Sequence, residues 1–303
     1  MDEQLGREVT PEEAVDSIEN AVGTYPGQRR AHTKGIAFDA TFQPNGAASS
    51  LTTAKHLQDE SVNAIVRFSH FWPTPNPHEL LVPIKGMAVR FLLQENVFTN
   101  LVMANVPVFL TKTPEAFIRL VQVMAKEPLS ITEKLEVLIK KPEFATIPKL
   151  LKSLKPPASF ATETYHALHS FYLVSSEGTR QAVRFFWKPV KSSSVRKSYG
   201  SRIDLETELV KRLEDGLPVQ FRLFIQLAQP EDPIDDPSLM WPADRQTIDI
   251  GMLSLNSVRE DGAESLVFDP TVLTEGIECS DDPILHFRSP VYDLSAARRL
   301  RHM

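Results

Sequence analysis

Short apolar runs, several of them alternating with polar residues, recur along the chain from residue 35 onward. Runs of this length, separated by Pro, Asn and Gly, predict β-strands. The predicted strands lie in the segments GIAFDATFQP, NAIVRFSHF, KGMAVRFLL, TNLVMANVPVFL, HALHSFYLVSS, TRQAVRFFWKPV, PVQFRLFIQLA and TIDIGMLSLNSV. The segment SSEGT predicts a hairpin turn between the fifth and sixth of these.

Helical signals lie before, between and after the strands. Residues 10–22 and 113–126 each begin with Thr-Pro and an acidic residue, the pattern of a capped helix start. Residues 204–216 form a third helical pattern that ends at a glycine, and residues 280–301 form the last. Shorter helices are predicted in SITEKLEVLIKKP and IPKLLKSLKPP, which prolines interrupt.

The order of strands, then helices, then strands indicates an α+β protein, because a nucleotide-binding fold would alternate strands and helices regularly. At least seven strand candidates with few long polar faces predict a closed antiparallel β-barrel with surrounding helices. We expect residues 1–303 to form a single domain, with a helix in 1–24 and the barrel and final helix in 25–303.

Composition excludes several classes of protein. A formal net charge of −6 argues against a nucleic-acid binder. A single cysteine, Cys279, excludes Cys-rich metal sites. The acidic amino terminus differs from a targeting sequence, and no apolar run is long enough to span a bilayer, so we expect a cytoplasmic protein without a membrane span.

The final predicted helix contains an unusual cluster of cationic and aromatic residues. Arg288 and Tyr292 are four residues apart and share one helix face, to which Arg299 returns. A buried cationic setting favours a phenolate, which is a hard anionic ligand for ferric iron. The alternative is a tyrosine on a helix surface among solvated arginines.

Two further segments carry candidate chemistry. His32, in RRAHTKGIAF, follows two arginines and suits an acid/base histidine beside an anionic cofactor edge, or else a loop histidine in a basic turn. In NAIVRFSHF, Arg67 and Ser69 alternate with apolar residues. On the inner face of a barrel strand, these two side chains would need partners such as carboxylates and an imidazole. On a solvent-exposed face of the strand they would need none.

A histidine pair offers a weaker signal for a metal site. His166 and His169 are three residues apart, a spacing that suits a metal pair on a helix. The strand-forming SFYLV that follows favours instead a histidine that is hydrogen-bonded in the core.

In this order the segments resemble the haem-containing catalase family over about residues 25–301. RRAHTKG resembles the family's Arg-x-x-His-Ala-Lys-Gly, VRFS is identical to its barrel motif, and KGMAVRF resembles Arg-Gly-Phe-Ala-Val-Lys-Phe. NLVMANVPVFLTKTPEAF and HSFYLV resemble the segments Asp-Leu-Val-Gly-Asn-Asn-Thr-Pro-Ile-Phe-Phe and His-Thr-Phe-Lys-Leu-Val. FDP at 268–270 also matches, and RSPVY fits Arg-x-x-x-Tyr.

The resemblance implies a haem b cofactor and a role for each matched residue. On the distal side, His32 would be the catalytic histidine and Ser69 its hydrogen-bond partner. On the proximal side, Tyr292 would be the iron ligand, Arg288 its partner, and His169 the residue behind that arginine. The remaining matched residues would contact the haem itself, as propionate partners (Arg29, Arg67 and Arg299) or as apolar walls (Phe109 and Phe117).

The sequence departs from the family pattern in two ways. Ala104 stands where the family has its distal asparagine, and Asn105 occupies the second position of that pair; Asn105 is the alternative candidate for the distal amide. The chain is also shorter than a full catalase, which predicts a wider approach to the iron. Both departures lower the expected rate of hydrogen peroxide disproportionation.

The resemblance therefore implies a haem-dependent peroxidase that reduces hydroperoxides, organic ones in particular, with weak catalase activity. It would use a separate electron donor and form a homo-oligomer such as a dimer. The first alternative is a fatty-acid hydroperoxide isomerase or lyase of the allene oxide synthase type. The second is a haem-binding protein without turnover.

Overall fold

The computed structural model describes residues 8–71, 83–125, 130–144, 147, 150, 154–190 and 204–301. Its strands are β1 (Gly35–Pro44), β2 (Val62–His70), β3 (Lys85–Gln94), β4 (Val97–Ala104), β5 (Tyr165–His166), β6 (Phe171–Val174), β7 (Arg180–Pro189), β8 (Gln220–Leu227), β9 (Thr247–Val258) and β10 (Ile277–Cys279). Its α-helices are α1 (Pro11–Val22), α2 (Pro114–Ala125), α3 (Ile131–Ile139), α4 (Leu205–Glu214) and α5 (Pro283–Leu300).

The strands close into an antiparallel barrel, as the sequence predicts. Each of β1 to β4 pairs with the next strand, β5 pairs with β7, and the β7–β8, β8–β9 and β9–β1 pairings complete an eight-stranded ring. β6 continues the line of β5 along β7, and β10 adds to β6. The predicted hairpin between β6 and β7 is confirmed, whereas β10 is a strand that the pattern did not indicate.

The two faces of β2 separate the barrel core from the functional cavity. Val66 and Phe68 are fully buried in the barrel interior, together with aromatic residues of several other strands. Because side chains alternate along a strand, Arg67 and Ser69 point outward, where they line a cavity beneath the helices. The prediction that they occupy the inner face of the barrel is therefore wrong.

Helix α1 begins as predicted and is held against the carboxyl-terminal helix α5. Thr10 caps it through a capping box with Glu13. Arg298 of α5 forms ion pairs with Asp16 at 2.7 Å and Glu19 at 2.8 Å, so α1 is held at the edge of the cavity.

The helices predicted at 113–126, 130–142, 204–216 and 280–301 are confirmed by α2, α3, α4 and α5. Of the helix predicted within 147–157, Ile147 and Leu150 are helical, residues 154–157 are not, and the others lie outside the described residues. Among the residues that are described, no helix combines the length and the apolar character that a membrane crossing requires.

Candidate active site

A cavity lies between the outer face of β2–β4 and helices α1 and α5. It has two adjoining compartments, with about 820 and 1040 Å³ of empty space when the solvent at their open mouths is included. They share Ile18, Ala31, His32, Val102, Met103, Val291 and Tyr292. Most of the other lining side chains are apolar, and the arginines lie toward one end. Such a cavity has the size and lining of a site for a large, mainly apolar ligand with a charged edge.

His32 is fixed on one side of this cavity by the outer face of the sheet. Its Nδ1 lies 2.9 Å from Ser69 Oγ, and its ring packs edge-on against Phe71. Gly86 on β3 allows this approach, because a Cβ there would lie 2.8 Å from His32 Nδ1. When Nδ1 carries the proton and donates it to Ser69, Nε2 is left for proton exchange with a ligand in the cavity.

The backbone of His32 is strained, and neighbouring groups hold it in place. Its φ angle is 56°, a left-handed value that is uncommon outside glycine. Arg67 donates a hydrogen bond of 3.0 Å to the His32 carbonyl, and the His32 amide donates to Phe71 O. Burial, followed by the charge of Arg67, lowers the pKa of His32 to about 3, so the imidazole is neutral at pH 7 and can accept a proton.

Four arginines line one end of the cavity, namely Arg29, Arg67, Arg299 and Arg30, the last of which pairs with Glu19. Arg29 and Arg67 both contact the Glu264 carboxylate, and Arg299 donates to Leu266 O. Burial lowers the pKa of Arg29 to about 9, with Arg67 lowering it further and Glu264 opposing the shift. Burial also lowers the pKa of Arg67 and of Arg299, again against Glu264.

These residues fit the haem that the resemblance implies. The Nε atoms of Arg67 and Arg299 are buried and find no hydrogen-bond partner within the described part of the chain. An unpaired buried donor is costly, so both atoms call for an acceptor, and carboxylates are strong acceptors for guanidinium groups. Haem propionates would supply such acceptors at this end of the cavity.

On the opposite side of the cavity, a four-residue relay ends at Tyr292. Arg288 donates to Tyr292 Oη at 2.6 Å and lies 2.9 Å from His169 Nε2. His169 Nδ1 donates to Asp282 at 2.6 Å, and both residues of that pair are fully buried. A guanidinium that donates to a phenolic oxygen stabilises negative charge on it, as a phenolate ligand requires.

The other matched residues occupy different places around the site. Phe109 and Phe117 line the larger compartment, with their ring centroids 5.4 Å apart, and Phe109 also packs on His169. His169 contacts Arg288 and does not line either compartment. His166 stacks on Phe186 and takes no part in the relay.

Asn105 points away from the cavity. Its Oδ1 accepts from the Lys85 amide at 2.7 Å, and its Nδ2 donates to Pro83 O and to Glu163. Ala104 lines the larger compartment instead. Asn105 as a distal amide therefore stays a prediction, and the hydrogen bonds of its side chain give it no support.

Sequence reasoning missed Asp282 and Glu264, although each contacts a predicted site residue. Asp282 precedes the first residue of α5, and an acidic residue before Pro is a helix-start signal, but nothing local pairs it with a histidine 113 positions earlier. Glu264 lies in a turn 235 residues from Arg29. Neither contact leaves a periodic pattern in the sequence.

We expect Asp282→Ala to lower the free energy of unfolding by about 3 kcal/mol, since it removes a charged hydrogen bond to His169 and the cap of α5. Urea denaturation measures this change. Asp281→Ala, an exposed neighbour, is the control and should change stability by less than about 0.5 kcal/mol. Equal effects of the two substitutions would contradict the relay.

Comparison with known proteins agrees with this geometry. The Catalase family profile matches residues 19–302. Catalase-related peroxidases from Mycolicibacterium paratuberculosis and Synechococcus elongatus are 34% and 32% identical; the alignments cover 96% and 97% of this chain and 95% and 89% of those proteins. A fungal catalase structure aligns with a TM-score of 0.78 and 17% identity, covering 99% of this chain and 65% of that one. The chain therefore belongs to the catalase family.

Proposed function

We propose that this protein is a haem-dependent peroxidase that reduces hydroperoxides, organic ones in particular, and has weak catalase activity. The proposal rests on two groups that lie on opposite sides of one cavity. On one side a guanidinium contacts the phenolic oxygen of Tyr292, and on the other an imidazole is held by Ser69. The names of the two catalase-related peroxidases, which align with nearly the whole chain, support the same activity.

The haem, when bound, would supply an iron centre that accepts the peroxide oxygen and exchanges electrons with a donor. Tyr292 would hold its iron, because tyrosine is the residue type that holds haem iron in catalases. Arg67 and Arg299 would direct their free Nε–H groups at the propionates, and Arg29 would complete the cationic edge. Phe109 and Phe117 would form apolar walls.

His32 would move the proton that peroxide cleavage requires. The neutral Nε2 would take the proton of the hydroperoxide and return it to the oxygen that departs as alcohol or water. Ser69 fixes the ring for both steps. Because burial keeps the pKa of His32 at about 3, the acceptor form persists across the neutral range.

The distal wall favours peroxides that carry an apolar substituent. Ala104, Ile84 and Val106 form one buried cluster, and Phe71 packs against it. Its members line the larger compartment, where they offer apolar surface to an alkyl chain. Hydrogen peroxide gains little from such surface. The proposal also includes a cytoplasmic location, a homo-oligomeric state and a separate electron donor.

An absorption spectrum of the haem-reconstituted protein tests the proposal, and Tyr292→Phe sharpens it. We expect charge-transfer bands of a high-spin ferric phenolate in the wild type and their loss in the variant, because phenylalanine offers no oxygen ligand. Tyr172→Phe, on β6 outside the cavity, should leave the bands unchanged. Retention of the wild-type bands by the Tyr292 variant would exclude tyrosine as the ligand.

We expect His32→Ala to reduce turnover of an organic hydroperoxide by about 10²–10⁴-fold, the usual effect of removing a positioned acid/base. Steady-state donor oxidation at matched haem content measures this loss. His286→Ala, an exposed histidine of α5, is the control. Wild-type turnover in the His32 variant would remove the role that we assign to this residue.

Ala104→Asn should raise oxygen evolution from hydrogen peroxide about tenfold, because one added hydrogen bond to the small peroxide is worth about 1–1.5 kcal/mol. Donor oxidation with a bulky organic hydroperoxide should fall, since the added side chain fills the larger compartment. Ala104→Leu adds a similar volume without an amide and should lower both rates. The two activities are followed by an oxygen electrode and by donor absorbance, and equal responses of the two variants would contradict the argument.

A further inference from the structure

A short turn after β9 directs one carboxylate at the cationic end of the cavity. Gly262 and Ala263 both have left-handed φ angles, of 58° and 56°, which reverse the chain just before Glu264. Arg259 fixes the turn by ion pairs of 2.7 Å to Asp261 and 2.8 Å to Asp39. The conformation of the turn therefore fixes the position of Glu264.

Glu264 is shared by two of the arginines that line the cavity. Its Oε2 pairs with Arg29 Nη1, and its Oε1 lies 3.2 Å from Arg67 Nη2. The Glu264 side chain is 31% exposed, whereas those of Arg29 and Arg67 are 11% and 3% exposed. The carboxylate is thus in contact with solvent, while the two guanidinium groups are largely enclosed by protein.

The charge balance at this end depends on Glu264. Arg30, which also lines this end, is paired with Glu19. Arg29, Arg67 and Arg299 bring three further positive charges, which Glu264 reduces to a net charge of +2. Glu206, the other acid that influences Arg67, is itself paired with His70 and Lys34. A ligand with two carboxylates would neutralise what remains, but a carboxylate that accepts from Arg67 Nε would lie beside Glu264 at the same guanidinium, where like charges repel.

We propose that Glu264 is a competing counterion: it pairs with Arg29 and Arg67 in the cofactor-free protein and yields them to the haem carboxylates during loading. This inference rests on the proposed function, because it takes haem as the ligand. Glu264 then stabilises the cofactor-free protein and at the same time slows haem binding.

The test compares cofactor-free wild type with Glu264→Gln in two measurements. The melting temperature of the cofactor-free variant should fall by about 2–4 °C, because the arginines lose their counterion. Stopped-flow association with haem at low ionic strength should be about tenfold faster, since the site becomes more positive. The gain should shrink at about 1 M salt, where the Debye length is about 3 Å.

Haem dimethyl ester separates competition from a general loosening of the site. It lacks free carboxylates, so Glu264→Gln should not accelerate its association. An equal gain with haem and with the ester would show that the substitution merely opens the cavity, and it would overturn the proposal. An unchanged or slower haem association would overturn it as well.

Two further variants complete the design. Glu260→Gln makes the same charge change at an exposed position of the same turn and should leave both measurements unchanged. Glu264→Asp keeps the charge, so its melting temperature and association rate should stay close to those of the wild type. If Glu264→Gln does not fold, the Glu264→Asp variant provides the test: an association rate more than tenfold above wild type would contradict the proposal. A wild type that binds no haem would overturn the proposed function itself, whereas haem binding that is insensitive to Glu264 would overturn only this inference.

Discussion

Positive charge that is buried beside an apolar cavity is the constraint on which the site depends. Arg67 is 3% exposed, and taking such an ion out of water costs several kcal/mol unless other groups compensate. The compensation comes largely from main-chain carbonyls, namely those of His32 and Thr33 for Arg67 and those of Ala263 and Leu266 for Arg29. The loop that carries His32 therefore also solvates the charge of Arg67.

The proximal side uses the opposite arrangement, in which one anion orients a chain of donors. Asp282 accepts from His169 and also caps the first turn of α5 through the amides of Ile284 and Leu285. The same carboxylate thus sets both the start of the helix and the orientation of the histidine that contacts Arg288. A shift of α5 along its axis would displace Tyr292 and its partner together, which keeps their 2.6 Å contact intact.

The local spacing of residues along the chain was sufficient to predict much of the fold and part of the site. Strands and helices follow from spacings of two and of three to four residues, and the latter spacing also predicted the contact of Arg288 with Tyr292. Alternation along β2 grouped Arg67 with Ser69, but it could not tell which face lies inside the barrel, because that depends on where the helices pack. The hydrogen bond between Asp282 and His169 could not be predicted from the sequence, since it joins positions 113 residues apart without any repeating pattern.

The contacts that build the cavity join the beginning of the chain to its end. Arg29 pairs with Glu264 across 235 positions, and Asp16 pairs with Arg298 across 282. During synthesis, the amino-terminal helix and the histidine loop leave the ribosome long before their partners exist. The cavity therefore cannot be complete until α5 has been made.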